Sequence, residues 1–365
     1  MAKLLNIGIK HQTVFNSIVY HFQAGELSDV PSGFMEDIKH KNMFIVCNDY
    51  VRGMNGERVL WNYLLELASN NYGVDMPLVG VYNDSFPKSA SEYILNNYNH
   101  TGMVLQNASF IGFVESGAKK ICYLQDNFRK MNYPKHLLDQ QYNNLINCNC
   151  IVTNSVSCAA SYSDFNCEVI PIGTNSDLFC IKDKLALRQK YDLVYDKIGI
   201  FVGEFTDVKG WHLVKSVIHD NSDIFWLVVS KNQHDNLVKS NVRMYNKIPQ
   251  ELLSDLLSCS DFFILGSKVE TLCLACIEAM LCNVPVIMNN TGVFENMDKV
   301  DKSNCGIIRD DVFNNLDLSE IYNNTYSPRS VVLKLGLDHN SVMAKWKYYL
   351  YGEQLKSDSR CYYLR

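Results

Sequence analysis

Short runs of β-branched and aromatic residues alternate with amphipathic stretches along most of this chain, the rhythm of parallel sheets wrapped by helices. Candidate strands are Met43–Asn48, Met76–Val81, Lys120–Leu124, Cys150–Thr153, Val169–Ile172, Gly199–Val202, Ile224–Val229, Phe262–Leu265, Val284–Met288 and Gly306–Ile308. Candidate helices are Gly56–Ser69, Lys135–Ile146, Leu185–Lys190, Trp211–Ile218, Gln250–Ser258, Leu274–Cys282 and His339–Glu353. At roughly 150 residues per domain, 365 residues suit two doubly wound sheets. The turn-rich stretch from Gly173 leads into a new helical pattern and marks the boundary near Asp177–Asp183. Lys3–Ile9 and Val14–Phe22 read as a strand pair or as a strand and a helix, and residues 1–42 as an N-terminal addition to the first sheet.

Composition narrows the function classes. A net charge of −5 lacks the basic footprint of a nucleic-acid binder, so no nucleic-acid partner is expected. Thirteen irregularly spaced cysteines fit reduced thiols in a cytoplasmic protein, and Met1–Lys10 does not show the order of a signal peptide. None of the 19 glycines forms Gly-x-Gly, and the phosphate-loop, Gly-x-Ser-x-Gly, His-Glu-x-x-His and Asp-x-Asp patterns are missing. A dehydrogenase, a P-loop ATPase, an α/β-hydrolase and a zincin therefore lose ground. Cys273 and Cys276 have redox or metal spacing but no second such pair nearby, and the nine histidines do not cluster, so no metal site is expected.

The remaining features suit phosphate and sugar. Gly53 and Gly56 lie in a turn between a strand and a helix start, where free amides and the positive helix end favour an anion. The alternative is that they only close a tight turn. The strand ending at Gly203 is followed by a loop whose Lys209-Gly210 enters a helix, placing an ammonium at the carboxyl end of the sheet. Alone, Lys209 could equally be a solvated surface lysine. The sharpest signal is Ser267-Lys-Val-Glu-Thr-Leu-Cys-Leu-Ala-Cys-Ile-Glu-Ala-Met280. Here Glu270 precedes a helix and Glu278 lies on it, eight residues later, while the amides of Leu272, Cys273 and Leu274 surround the helix start. Two carboxylates flanking an anion site suit a sugar nucleotide, whose hydroxyls they accept hydrogen bonds from; the plain alternative is one capping and one solvated glutamate.

These residues resemble the retaining glycosyltransferases of family four, which have the GT-B fold. The Glu-x7-Glu motif matches Glu270 and Glu278, and the following Glu278-Ala-Met and Pro285-Val-Ile match as well. Gly53–Gly56, Asn154-Ser155, Val169–Phe179, Val202-Gly203, Lys209-Gly210, Asp261 and the stretch from Val342 to Tyr351 occur in the family's order. The resemblance implies an α/β architecture of two Rossmann-like doubly wound parallel-sheet domains facing across a cleft. It divides the chain into an acceptor-side domain over 1–180, a nucleotide-sugar domain over 181–338, and a C-terminal helix over 339–365 crossing back to the first domain.

The resemblance further implies transfer of a hexose from UDP- or GDP-hexose to a saccharide or glycolipid acceptor, without cofactor or metal. Lys209 would contact the donor diphosphate, Glu270 the sugar hydroxyls and Glu278 the ribose. Gly53, Gly56, Gly203, Leu272, Cys273 and Leu274 would shape the donor cradle. This chain departs from the family in several places. Glu204 stands where an arginine is usual, Cys273 and Asn283 where glycines are usual, and Gln125-Asp126 where many members have a histidine near the reacting carbon. Arg52, Lys231 and Lys268 are candidates to compensate for Glu204.

The rival readings are a sugar-nucleotide epimerase or hydrolase of the same fold, and a non-catalytic sugar-nucleotide-binding relative. DNA glucosylation is a minor case, disfavoured by charge. The basic run of Lys119, Lys120, Arg129, Lys130 and Lys135 reads as a solvated face, with peripheral contact to anionic lipid as the alternative.

Overall fold

The computed structural model describes residues 119–131, 133–231, 237 and 239–351, and before these the strands at 2–5, 11–15, 18–22, 27–30, 43–47, 78–80 and 103–107. The chain divides into two compact units. One comprises Met1–Asn154 and Cys158–Ile170, the other Ser155–Ser157 and Pro171–Arg365. The division falls upstream of the Asp177–Asp183 turn, and the C-terminal helix groups with the second unit.

The first unit carries β1 (Ala2–Leu5), β2 (His11–Phe15), β3 (Ile18–Phe22), β4 (Leu27–Val30), β5 (Met43–Cys47), β6 (Leu78–Gly80), β7 (Met103–Asn107), β8 (Lys119–Leu124), β9 (Cys150–Thr153) and β10 (Cys167–Val169), with helix α1 (Lys135–Leu145) between β8 and β9. Its six-stranded sheet runs β10-β9-β8-β7-β5-β6, and every pairing in it is parallel. Strands β1 to β4 do not extend this sheet, contrary to the expectation for residues 1–42. They pair antiparallel in two separate ladders, β1 with β4 and β2 with β3. Cys122, Leu124, Leu145, Ile151, Cys158 and Tyr162 form a buried cluster between sheet and helices. Helix α2 (Val156–Ser161) follows β9.

The second unit contains β11 (Ile198–Val202), β12 (Phe225–Ser230), β13 (Val242–Asn246), β14 (Phe262–Leu265), β15 (Val286–Met288) and β16 (Gly306–Ile308). Its helices are α3 (Lys184–Lys190), α4 (Trp211–Asp220), α5 (Gln250–Cys259), α6 (Leu274–Leu281), α7 (Lys299–Cys305), α8 (Ser319–Asn323), α9 (Pro328–Lys334) and α10 (His339–Tyr351). The strand order β13-β12-β11-β14-β15-β16 is wholly parallel. Chain direction across the sheet therefore reverses between β11 and β14. In such sheets the loops leaving the two central strands part to opposite faces and leave a crevice at their carboxyl ends, where ligands bind.

The pairing of β11 with β14 is short, through Gly199 with Phe262 and Ile200 with Phe263. Gly199 has no substitute there, because a Cβ would lie 2.6 Å from the Trp226 ring and 2.7 Å from Phe262. Trp226 and Phe262 are fully buried and meet edge to face with centroids 5.5 Å apart. Asp261 anchors the start of β14. Its carboxylate accepts from the Ile198 amide at 2.8 Å, Arg188 at 2.9 Å and Lys184 at 3.1 Å. Asp261 thus has a structural job, tying the two central strands and α3 together.

Asp261→Ala should lower unfolding free energy by about 3 kcal/mol, since it strips the Ile198 amide of its side-chain acceptor and the Arg188 guanidinium of its carboxylate partner. Urea unfolding followed by circular dichroism checks this, and a loss under about 0.5 kcal/mol would refute the anchoring role.

Candidate functional site

The crevice of the second unit is bounded by the loop from Gly203 to Gly210, which leaves β11, and the loop from Gly266 to Cys273, which leaves β14. The two loops touch backbone to backbone. Gly210 adopts a left-handed conformation (φ 60°) as the N-cap of α4, and a Cβ on it would lie 2.1 Å from the Gly266 carbonyl oxygen. A Cβ on Gly266 would in turn lie 2.4 Å from the Gly210 oxygen. Only glycine at both positions permits this approach. Phe205 packs on Trp211 with ring centroids 4.5 Å apart, holding the first loop against the start of α4.

The crossing brings Lys209 and Glu270 together. Lys209 Nζ donates to Glu270 Oε1 at 2.7 Å, with the Glu270 side chain 9% exposed. Burial opposes the charge on Lys209 but is outweighed by Glu270, Cys273 and Glu204 nearby, so its pKa lies above the ordinary lysine value. Glu270 is fixed from its other side. Its amide donates to Thr291 Oγ1 at 2.9 Å, and its Cβ faces Gly292, where an added Cβ would come within 3.0 Å.

Cys273 is the N-cap of α6, in left-handed conformation (φ 69°, ψ 72°) and buried. Asn283, just past the end of α6, has φ 60°. Both are positions where the resemblance gives glycine, and the backbone explains that preference. Leu274 opens α6, Cys273 caps it and Leu272 precedes the cap, so these amides lie at a helix start, whose first amides lack intrahelical acceptors and carry partial positive charge.

Glu204 meets Lys231, which follows β12, in an ion pair. Among the described candidates for compensating Glu204, Lys231 is thus the one that reaches it. Lys268 is exposed and Arg52 lies outside the described residues. Glu278 sits in the middle of α6, and burial pushes its carboxyl up to about 8. Gly203 donates its amide to the Val229 carbonyl at 3.0 Å, continuing the β11–β12 ladder.

Gly203 and Glu278 stand apart, in the β11–β12 ladder and within α6, and the other expected residues separate into three groups. Lys209, Glu270 and Cys273 converge, with Leu272 and Leu274 flanking Cys273. Gln125 and Asp126 belong to the first unit, after β8, where the Gln125 carbonyl accepts from Asn154 Nδ2 at 2.7 Å and Asp126 is exposed. Gly53 and Gly56 lie outside the described residues. Arg129, from the basic run, forms a fork with Asp164 at 2.5 and 2.8 Å and covers the Tyr162 ring, which is a structural use of that charge. No described helix is long and apolar enough to cross a membrane. Sequence reading missed Gly266, Thr291 and Gly292. Each follows the carboxyl end of β14 or β15, and the topological rule for open sheets was the signal that pointed there.

Residues 183–310 match the family described as glycosyl transferases group 1. A sucrose-phosphate synthase from Thermosynechococcus elongatus superposes with a TM-score of 0.66 at 15% identity, covering 84% of this chain and 97% of that one. HepE of Anabaena, solved in complex with UDP-glucose, gives a TM-score of 0.66 at 13% identity, covering 86% of this chain and 100% of that one. A Klebsiella pneumoniae protein described as an uncharacterized 41.2 kDa protein in the cps region is 28% identical over 158 residues, which span 39% of this chain and 42% of that relative.

Ionising Glu278 costs the folded state, since its carboxyl holds a proton up to about pH 8 while the unfolded chain loses it near 4.5. Between those values the folded form binds more protons, so stability falls as pH rises through the window. Glu278→Gln should remove this fall, gaining on the wild type by several kcal/mol at most between pH 5 and pH 8.5; parallel urea titrations at the two pH values would expose the error if the gap stayed constant.

The parallel sheets, their order and these likenesses show the GT-B fold, with the group 1 glycosyltransferase pattern carried by residues 183–310.

Proposed function

We propose that the protein is a retaining glycosyltransferase that moves a hexose from a nucleoside diphosphate donor to a saccharide or glycolipid acceptor. The observation that carries this reading is the Lys209–Glu270 contact at the sheet reversal, beside the start of α6. It joins a cation, a carboxylate and a helix N-terminus, the three elements a sugar diphosphate needs. The group 1 match covers these same residues, and the HepE complex gives UDP-glucose as the donor to try first.

In this mechanism the amides of Leu272, Cys273 and Leu274 and the Lys209 ammonium take up the diphosphate. Charge develops on the diphosphate as the glycosidic bond breaks, so fixed donors there lower the barrier without a metal. Glu270 accepts from the sugar hydroxyls and keeps Lys209 in place. Glu278 accepts from the ribose, while Gly203 leaves room for the nucleotide. The first unit serves the acceptor, with Gln125 and Asp126 as its candidate catalytic residues, and Gly53 and Gly56 are candidates for the donor cradle. The work is placed in the cytoplasm, with peripheral contact at a membrane surface through the basic run as the alternative.

Calorimetry with UDP, GDP and their hexose conjugates should find one nucleotide bound, with Lys209→Met weakening it about 10- to 100-fold. Glu270→Gln should leave UDP or GDP affinity within a few-fold and cut transfer about 100-fold or more. Transfer that survives chelation, with the donor's anomeric configuration kept in the product by NMR, is the expected result. A changed sugar without any acceptor present would instead establish an epimerase or hydrolase.

A further inference from the structure

The turn after β15 carries a carboxylate that the proposed reaction does not use. Gly292–Phe294 form a single 3-10 turn, in which the Phe294 amide donates to the Thr291 carbonyl and the Glu295 amide to the Gly292 carbonyl, both at 3.3 Å. Val293 and Phe294 are buried and seat this turn. It folds Glu295 back beside Thr291, whose hydroxyl donates to Glu295 Oε1 at 3.5 Å. The other carboxylate oxygen, Oε2, accepts from the hydroxyl of Ser157, a buried residue near the start of α2 that groups with the same compact unit.

Chemistry fixes the polarity of this chain of contacts. A carboxylate only accepts, so the Ser157 and Thr291 hydroxyls both aim their single proton at Glu295. That leaves the lone pairs of Thr291 Oγ1 as acceptors, and the Glu270 amide, which can only donate, meets them at 2.9 Å. The 3.5 Å reach to Thr291 is long for a hydroxyl, so Glu295 acts on it as an orienting charge more than as a tight partner. We infer that Glu295 is a positioning residue for Glu270: seated by Ser157, it orients the Thr291 hydroxyl, which holds the Glu270 amide and with it the carboxylate that meets Lys209.

Glu295 touches no substrate in this scheme. Its influence reaches the hexose through Thr291 and Glu270 and bypasses the groups assigned to the diphosphate. This consequence for the sugar rests on the function proposed above, whereas the hydrogen-bond chain does not.

Hydrogen exchange at the Glu270 amide of the full chain, resolved to single residues by mass spectrometry, reads the chain of contacts directly. Thr291→Val removes the hydroxyl, Thr291→Ser keeps it, Glu295→Met removes the carboxylate at similar length, and Glu295→Gln keeps an accepting oxygen. Exchange at Glu270 should rise about tenfold or more in Thr291→Val and Glu295→Met, and stay near the wild-type rate in Thr291→Ser and Glu295→Gln. Adding Glu295→Met to Thr291→Val should raise it no further. The Phe263 amide, bonded to the Pro285 carbonyl at 2.9 Å in the same sheet, is the reference and should exchange as in the wild type. An unchanged Glu270 rate in Glu295→Met, or a rise that Phe263 shares equally, overturns the inference; if that variant does not fold, Ser157→Ala makes the same comparison. Calorimetry then tests the consequence for the sugar. Glu295→Met should bind UDP-glucose about tenfold more weakly and UDP alone within about threefold of the wild type. Equal effects on both ligands, or none on either, overturn that consequence. If the wild type binds neither ligand, the functional reading fails with it, and the exchange rates still decide the role of Glu295.

Discussion

The approach of Gly210 to Gly266 is the constraint on which the rest of the site depends. The order of strands puts β11 and β14 side by side and sends their loops to opposite faces. Loops that part in this way would normally keep their side chains apart. Here two glycines let the backbones meet, and the residues on either side, Lys209 and Glu270, close into hydrogen-bond contact at 2.7 Å. Thr291 and Gly292, from beyond β15, then hold Glu270 from behind. Three strand ends thus fix one carboxylate, which is the kind of rigid support a reactive geometry needs.

Within the crevice the formal charges are matched. Lys209 faces Glu270, and Lys231 faces Glu204. Glu278, pushed up to about 8 by burial, holds its proton near neutral pH. What remains for an anion is the positive end of α6. Such a site relies on directional amides more than on net charge, so it discriminates by shape. Glu204, which stands where the resemblance gives an arginine, forms an ion pair with Lys231 in the fold.

How much was legible in the sequence follows from how local the determining forces are. Phe262–Leu265 is a continuous apolar run buried on both faces, and the strand matches its sequence reading at both ends. Met103–Asn107 and Val242–Asn246 escaped notice, because β7 mixes polar with apolar residues and β13 is a partly exposed edge strand. The strand expected at Val169–Ile172 instead ends at Val169. Pro171 has no amide to continue the ladder, so the apolar residues around it are buried as coil. In the site, Lys209, Glu270 and the start of α6 were legible because a helix start and its neighbours lie within one short segment. Thr291 was not, because its hydroxyl gains its role only through a partner 21 positions away.

Two helix starts border the crevice, and they differ in a way that separates steric necessity from preference. Gly210 and Cys273 both cap helices with positive φ, 60° and 69°. At Gly210 any Cβ collides with the Gly266 backbone, so no side chain fits. At Cys273 a side chain does fit, buried at 6%, and the chain bears only the conformational cost of a left-handed L-residue, about 1–2 kcal/mol. Glycine there is therefore a preference of the backbone, which a side chain can override when its own contacts offset the cost. Cys273 thus occupies, by packing, a backbone conformation that Gly210 can hold only because it has no side chain.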